Sequence, residues 1–358
     1  MPVVIGGGSR AQPVWENDET GQPRRRFARL RDYTGRGVAT TATYEARTFG
    51  VHSAMGLMTA AKKAPDAILL PTDFDEYRKY SRMFKASVHS IAPLIEDRGI
   101  DEMYIDLSEL VAARLPDDFD VEREDEIWWS AREIAQEIKQ TVRDATSLSC
   151  SIGLAPNKLI AKIASELDKP DGLAIITARE IESRLWPLPA RRLHGVGPKS
   201  AAKLARLGIA TIGELAQADP TWLAQNFGKA SAAWMHDAAN GRDDRPVVTY
   251  SEPKSISRET TFDRDLHAVR DRGELSQIFT ELCEGLSRDL QRKRYASRTI
   301  GIKLRFENFK TVTRDNTLPA PINDAEDIRR AAGECLKRVD LTKRIRLLGV
   351  RAGGLSPS

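Results

Sequence analysis

The run Arg98-Gly-Ile-Asp-Glu-Met-Tyr-Ile-Asp-Leu-Ser108 sets two adjacent carboxylates, Asp101 and Glu102, in a segment otherwise patterned as a buried strand. Met103 to Leu107 carries residue types that suit a pleated, half-buried surface, on which neighbouring side chains point to opposite faces. In a regular strand Asp101 and Glu102 would therefore diverge. They converge on one ion only if the strand is bent or bulged at its start, a bend that Gly99 permits. Hard divalent cations such as Mg²⁺ take oxygen ligands, commonly one or two carboxylates with waters and substrate phosphates, so the pair suits metal-assisted phosphoryl chemistry. By itself it also fits solvated residues at a strand edge.

At 358 residues the chain exceeds what one hydrophobic core usually serves, and two to four domains are expected. Charged residues at 30% and hydrophobic ones at 41% are ordinary for a soluble globular protein, and no apolar run is long enough to span a bilayer. No export signal opens the sequence, which reads as cytoplasmic. Cys150, Cys283 and Cys335 lie far apart without CxxC spacing, and the five histidines form no HxxxH-like set, which argues against zinc sites and disulfides. Net charge is only +4, but from Arg298 to Arg351 thirteen Lys/Arg face seven Asp/Glu, an excess that suits a polyanion or a solvated basic surface.

Pro2 to Gly8 reads as an interior strand running into a glycine turn, and Ser9 to Arg36 as polar loop sequence, with Arg24-Arg25-Arg26 exposed. Gly37 to Tyr44 is a strand leading into a short helix that stops at Gly50, with Tyr44 and Arg47 on one helical face. A buried strand at 67–71, an amphipathic helix from about Asp73 to Val88, the acidic strand, and a helix from about Asp125 to Ala145 follow. The last presents Ile127, Trp128, Ala131, Ile134, Ile138 and Val142 at a 3.6-residue period. Further strands at 148–153 and 173–177 flank a helix at 157–167, so this part is a sheet covered by helices.

From Arg179 to Arg245 short helices separated by Gly and Pro take over. Within them Leu193-His-Gly-Val-Gly-Pro-Lys-Ser-Ala-Ala-Lys-Leu204 puts a Gly-x-Gly hairpin at a helix start, followed by Lys199 and Ser200. Backbone N–H groups there are free to hold a phosphate. Phe227-Gly-Lys-Ala-Ser231 is a weaker echo. Val247 to Ser255 reads as a linker. Beyond it come a strand from Ser255, a helix at about 272–292, the alternating strand Thr299 to Phe306, a partner at 311–314, a helix at 325–339 and a closing strand at 345–349. Lys303 and Arg305 share the face of their strand opposite Ile302, Leu304 and Phe306.

Taken together these segments resemble the Y-family translesion DNA polymerases, most closely the DinB or DNA polymerase IV branch. The resemblance rests on Ala39 to Met55 (ATTATYEARTFGVHSAM), Ile100 to Asp106 (IDEMYID), Ser151 to Lys158 (SIGLAPNK) with Ala161 to Ser165 (AKIAS), Lys169-Pro-Asp-Gly172, and the Gly195-Val-Gly-Pro-Lys199 hairpin, and it covers nearly the whole chain. It implies an α+β multidomain right hand. Residues 1–72 would form fingers with an incomplete palm start, 73–178 palm, 179–246 a helical thumb with a helix-hairpin-helix, 247–255 a linker, and 256–352 an α/β little finger.

The activity implied is template-directed, error-prone synthesis past damaged bases by two-metal nucleotidyl transfer. Asp101 and Glu102 would bind two Mg²⁺ ions; Thr41, Tyr44, Arg47 and Lys169 would hold the incoming dNTP. Gly195, Gly197, Lys199, Ser200, Lys303 and Arg305 would grip primer–template DNA. The physical chemistry agrees, since Arg offers phosphate oxygens a planar fork of donors and Lys a compact charge. The family's opening strand, with its first metal-binding Asp, would precede Pro2, and a clamp-binding tail would follow Ser358. Neither lies in this sequence, which makes a sliding clamp a partner without a visible binding segment. The alternative is a catalytically inactive DNA-binding relative acting as a scaffold.

Overall fold

Val3, Val4 and Ile5 form the strand around which the amino-terminal sheet is arranged. The computed structural model describes residues 1–115 and 124–358; residues 116–123, inside the stretch expected to be palm, lie outside the described residues. The chain divides into two compact units, Met1–Asp73 with Glu252–Ser358, and Phe74–Ser251.

The first unit begins with β1 (Val3–Gly6), the ribbon strands β2 (Val14–Asn17) and β3 (Pro23–Arg26), then β4 (Ala28–Arg29), β5 (Ala39–Ala42), helices α1 (Tyr44–Thr48) and α2 (Leu57–Lys63), and β6 (Ile68–Leu70). The main sheet runs β4-β6-β1-β5, with β1 parallel to β6 and antiparallel to β5. Its small core is alanine-rich, with Val4, Leu30, Tyr33, Leu57 and Leu69 supplying the bulk. Where the sequence reads as polar loop, the structure has the β2–β3 ribbon. Its pattern is not that of a strand because it buries almost nothing, and it is held instead by Glu16 accepting from both Arg24 and Arg26 and by Arg25 stacked over Trp15.

The second unit continues with α3 (Phe74–His89), the hairpin β7 (Ile95–Asp97) and β8 (Met103–Ile105), α4 (Ser108–Ala112), α5 (Glu124–Thr146), β9 (Ile152–Leu154), α6 (Lys158–Ala164) and β10 (Leu173–Ile175). The helix expected over 125–145 spans 124–146 and buries Ala131, Ile134, Ile138 and Val142 as its period requires. It shares a core with both strand pairs, β7–β8 antiparallel and β9–β10 parallel. Helices α7 (Pro198–Arg206), α8 (Ile212–Gln217), α9 (Pro220–Phe227) and α10 (Lys229–Ala239) then enclose a core of Leu193, Leu204, Ile212, Leu215 and Leu223.

Glu252–Ser358 returns to the first unit. There β11 (Ser255–Leu266), β12 (Tyr295–Phe306), β13 (Thr311–Ile322) and β14 (Ile345–Pro357) form a sheet ordered β11-β14-β12-β13, one face of which packs on α11 (Arg272–Arg292) and α12 (Ala325–Leu336). The strands are longer than their alternating stretches, because ladder hydrogen bonds continue past the residues that meet the core. Ser297, fully buried in β12, satisfies its hydroxyl by donating to Gly353 O at 2.7 Å. Among the described residues no helix is long and apolar enough to cross a membrane.

All three cysteines are free thiols. Burial pushes Cys283 up to about 12 and raises Cys335 and Cys150 as well, the last being only half-buried. A thiol titration of the native protein near pH 8 is expected to find at most one reacting group, and three after denaturation. Two fast-reacting thiols in the folded state would contradict this packing.

Candidate functional site

Asp101 and Glu102 sit in the turn that joins β7 to β8, not in the strand itself, which begins at Met103. Gly99 has φ +115°, and the Arg98 N–H donates to Glu102 O at 3.0 Å, closing the turn. The rule that neighbouring strand residues face opposite ways therefore does not govern the pair. From α3, Lys85 braces the turn by donating to Gly99 O at 2.9 Å and pairing with Asp97 at 3.0 Å. Asp101 is exposed, with no ion-pair partner among the described residues. Asp106 accepts from Ser108 N at 2.9 Å and so organises the start of α4, a structural role.

Glu102 is engaged by Lys162 of α6, whose ammonium donates to its carboxylate. Lys162 also pairs with Glu166 at 3.4 Å, and Glu166 accepts from Lys169 at 2.6 Å. The four side chains form an alternating series of charges. Burial works against the charge of Lys162, yet its bonds to Glu102 and Glu166 hold its pKa above the ordinary lysine value. Burial likewise opposes ionisation of Glu166, but Lys169 and Lys162 keep its carboxyl below the usual range. Lys162 and Glu166 also line a cleft of about 210 Å³, bounded on its other side by Arg191 to Val196. In the sequence Lys162 stands out only as part of the AKIAS motif. Its contact with Glu102 spans sixty residues, and no local pattern signals it.

In the other unit Thr41 lies on β5, opposite Ile5 of β1, and Tyr44 opens α1. Thr43 caps that helix: its hydroxyl accepts from Ala46 N, and from Val3 N of β1. The helix is thereby tied to the sheet edge. Tyr44 and Arg47 share a face as their spacing requires, the guanidinium lying 5.3 Å from the half-exposed ring and donating to Ala42 O at 3.0 Å. Lys169 belongs to the second unit with Asp101 and Glu102, so the predicted residues fall into two groups, each assembled within its own unit.

At the hairpin, Gly195 has φ +110°, and a Cβ there would lie 2.4 Å from the Trp234 ring. Gly197 is the N-cap of α7, followed by Pro198 at the first helical position, and faces open space. The first free N–H groups of α7, at Lys199 and Ser200, thus look out past a glycine with no side chain in front of them. Lys229 starts α10 after Gly228 at φ +81°, the structural form of the weaker echo. On the C-terminal sheet Lys303 and Arg305 do share the face turned away from the helices. Lys303 is paired with Glu259 of β11 at 2.8 Å and Arg305 donates to Thr311 at 3.1 Å, while Arg351 lies 3.9 Å from Asp315. The face is therefore of mixed charge and rich in Ser, Thr and Gly.

A model of the impB/mucB/samB family matches residues 1–166, and a model of the same family's C-terminal domain matches residues 253–358. The chain belongs to the impB/mucB/samB family. Its relatives are of the DNA polymerase IV type. The DNA polymerase IV of Streptomyces coelicolor is 40% identical over 321 residues, 90% of this chain and 64% of that one. The DNA polymerase IV of Halorhodospira halophila is 37% identical over 324 residues, 90% of this chain and 86% of that one. The chain thus spans a little under two thirds of the Streptomyces relative and most of the second. Among solved structures, a Y-family DNA polymerase chimera built on Dbh has TM-score 0.77 at 24% identity over 100% of this chain and 92% of that one. An insertion ternary complex of Dbh DNA polymerase has TM-score 0.62 at 23% identity, with the same coverage. The fold is that of a Y-family polymerase, α+β with a C-terminal sheet domain.

Y-family polymerases use divalent metal ions. Among the described residues no group of three or more His, Cys, Asp or Glu is arranged to hold one. The neighbouring carboxylates of the hairpin nevertheless match the share a protein supplies when phosphates complete the shell of a hard cation. The glycine hairpin provides its own test. Gly195→Ala, strained in φ and colliding with Trp234, is expected to cost about 1–3 kcal/mol in urea unfolding, whereas Gly197→Ala, in open space at ordinary φ, should stay within about 0.5 kcal/mol. Equal costs would contradict the geometry.

Proposed function

We propose that this chain is a template-directed, lesion-tolerant DNA polymerase that transfers the nucleotidyl group of a dNTP to a primer 3′-OH by in-line displacement of pyrophosphate, with two Mg²⁺ ions. The observation that carries the reading is the charge series Glu102–Lys162–Glu166–Lys169 beside the exposed Asp101, in a chain of this family. Asp101 and Glu102 are assigned to metal binding. Bound there, Mg²⁺ would lower the charge on the phosphoryl oxygens and on the attacking hydroxyl. Thr41, Tyr44, Arg47 and Lys169 are assigned to the triphosphate. The Thr43 hydroxyl caps the helix that carries Tyr44 and Arg47, the Ala42 carbonyl accepts from the Arg47 guanidinium, and Glu166 accepts from Lys169, so each cation is oriented by a bond within its own unit.

In the same reading residues 1–72 act as fingers, 73–178 as palm, 179–246 as thumb, 247–255 as linker and 256–352 as little finger. Gly195, Gly197, Lys199 and Ser200 hold one DNA backbone through N–H groups and charge, and the exposed sheet face with Lys303 and Arg305 holds the other. The likeness to the insertion ternary complex of Dbh DNA polymerase supports DNA and nucleotide as partners.

Primer extension tests the assignment. Asp101→Ala and Glu102→Ala are expected to reduce extension by about two orders of magnitude or more, with duplex affinity unchanged. Arg47→Ala and Lys169→Ala should raise the KM for dNTP roughly tenfold, the cost of about one charge-assisted hydrogen bond. Wild-type rates in both carboxylate variants would defeat the reading.

DNA affinity should fall steeply with salt, because phosphate contacts release counterions. Lys303→Ala should weaken binding alike on every sequence, by less than Arg305→Ala because Glu259 already offsets part of its charge. A flat salt response in a fluorescence titration would mean that the sheet face does not hold DNA.

A further inference from the structure

The β11–β14 ladder is interrupted once: Thr261 pairs with Leu347 and Leu266 with Ile345, so Phe262, Asp263, Arg264 and Asp265 bulge against the single residue Arg346. Two arginines from the amino-terminal part of the same unit meet that bulge. Arg36 donates through Nη1 to Asp265 Oδ1 at 2.6 Å and to Phe262 O at 3.1 Å, and Arg10 pairs with Asp263 at 2.9 Å. The Arg36 and Asp265 side chains are only 23% and 22% exposed, and Arg346 lies 4.0 Å from the same carboxylate. The Arg10 pair, with Asp263 77% exposed, is weak by comparison.

Arg36 is presented by a loop with little freedom. Gly35 (φ +148°) and Gly37 both lie against Tyr33, where a Cβ would approach the phenol oxygen to 2.8 and 2.5 Å, and the Gly37 N–H donates to that oxygen at 2.9 Å. The Gly37 carbonyl accepts from Leu57 N, and Ala39 N donates to Met55 O, so the loop passes straight into β5 and α1. Thr41, Tyr44 and Arg47 follow within eleven residues of Arg36.

We propose that Arg36 is a positioning residue: its bond to the β11 bulge fixes the segment carrying Thr41, Tyr44 and Arg47 relative to the C-terminal sheet. Resting on the polymerase reading, this makes the affinity of the Thr41–Arg47 segment for nucleotide on bound DNA depend on one ionic contact with the C-terminal sheet. Nothing in the local sequence of either partner announces it.

Spin labels at Glu19→Cys and Lys310→Cys, with Cys150→Ser, measure the distance across the contact in the intact chain. One narrow distribution is expected for the parent protein and a broadened one for Arg36→Gln or Asp265→Asn, while Asp263→Asn changes little. In the DNA complex the same two variants should weaken dNTP affinity roughly five- to tenfold with duplex affinity unchanged. The double variant should be no worse than either single one, as for partners in one interaction. An unbroadened distance in both single variants, additive losses, or unaltered dNTP affinity despite broadening would overturn the proposal. Failure of the unaltered protein to extend primers would count against the polymerase reading, while the distances still decide the contact.

Discussion

Opposite charges held in series are the constraint on which the candidate catalytic surface depends. Glu102, Lys162, Glu166 and Lys169 alternate in sign beside α6 and the hairpin turn, and the charges of Lys162 and Glu166 are held by their neighbours against the burial that opposes them. Removing Lys162, the least exposed member, leaves Glu102 and Glu166 without the cation that links them. The same unit ties its distant parts in this way again. Glu96 accepts from Lys158 at 2.7 Å and from the Val248 N–H at 2.9 Å, and Lys158 also donates to Pro246 O, so the start of the linker stretch is fastened to β7 and α6.

Apolar burial divides the labour differently. The C-terminal sheet commits Ile300, Ile302, Leu304 and Phe306 to α11 and α12, which leaves the opposite face free to be polar. That face needs no large side chains for stability, so serine, threonine and glycine can keep it flat enough for a backbone of another molecule to approach. Its basic residues are partly offset by Glu259 and Asp315, an arrangement that moderates attraction to any polyanion and leaves shape a larger part in binding.

Chemistry-bearing residues stand on short elements fixed by caps and turns. Helix α1 has five residues, too few to be stable alone, and is secured because the Thr43 hydroxyl accepts from both its own helix and β1. The α7 hairpin depends on Gly195, whose backbone and missing Cβ admit Trp234. Gly195 tolerates little substitution because its constraint lies in the backbone, whereas the α1 cap rests on one side-chain hydroxyl.

Periodicity determined most of the architecture: the 3.6-residue stripe of α5 and the alternation at 299–306 each specify an element and its buried face, because burial of one face is a local property of spacing. Spacing likewise put Tyr44 and Arg47 on one face, and the family motifs marked Asp101 and Glu102. Tertiary structure alone decided the rest. The β2–β3 ribbon escaped notice because ion pairs and a stacked arginine, not burial, hold it. The hairpin turn replaced the expected bulged strand because closure at Gly99 depends on Arg98 meeting Glu102 across it. Lys162 on Glu102, Glu259 on Lys303 and Asp265 on Arg36 are pairings across 44 to 229 residues. A charge in a sequence carries its sign but not its partner, since Coulomb attraction depends on distance in space and only the folded chain sets that distance.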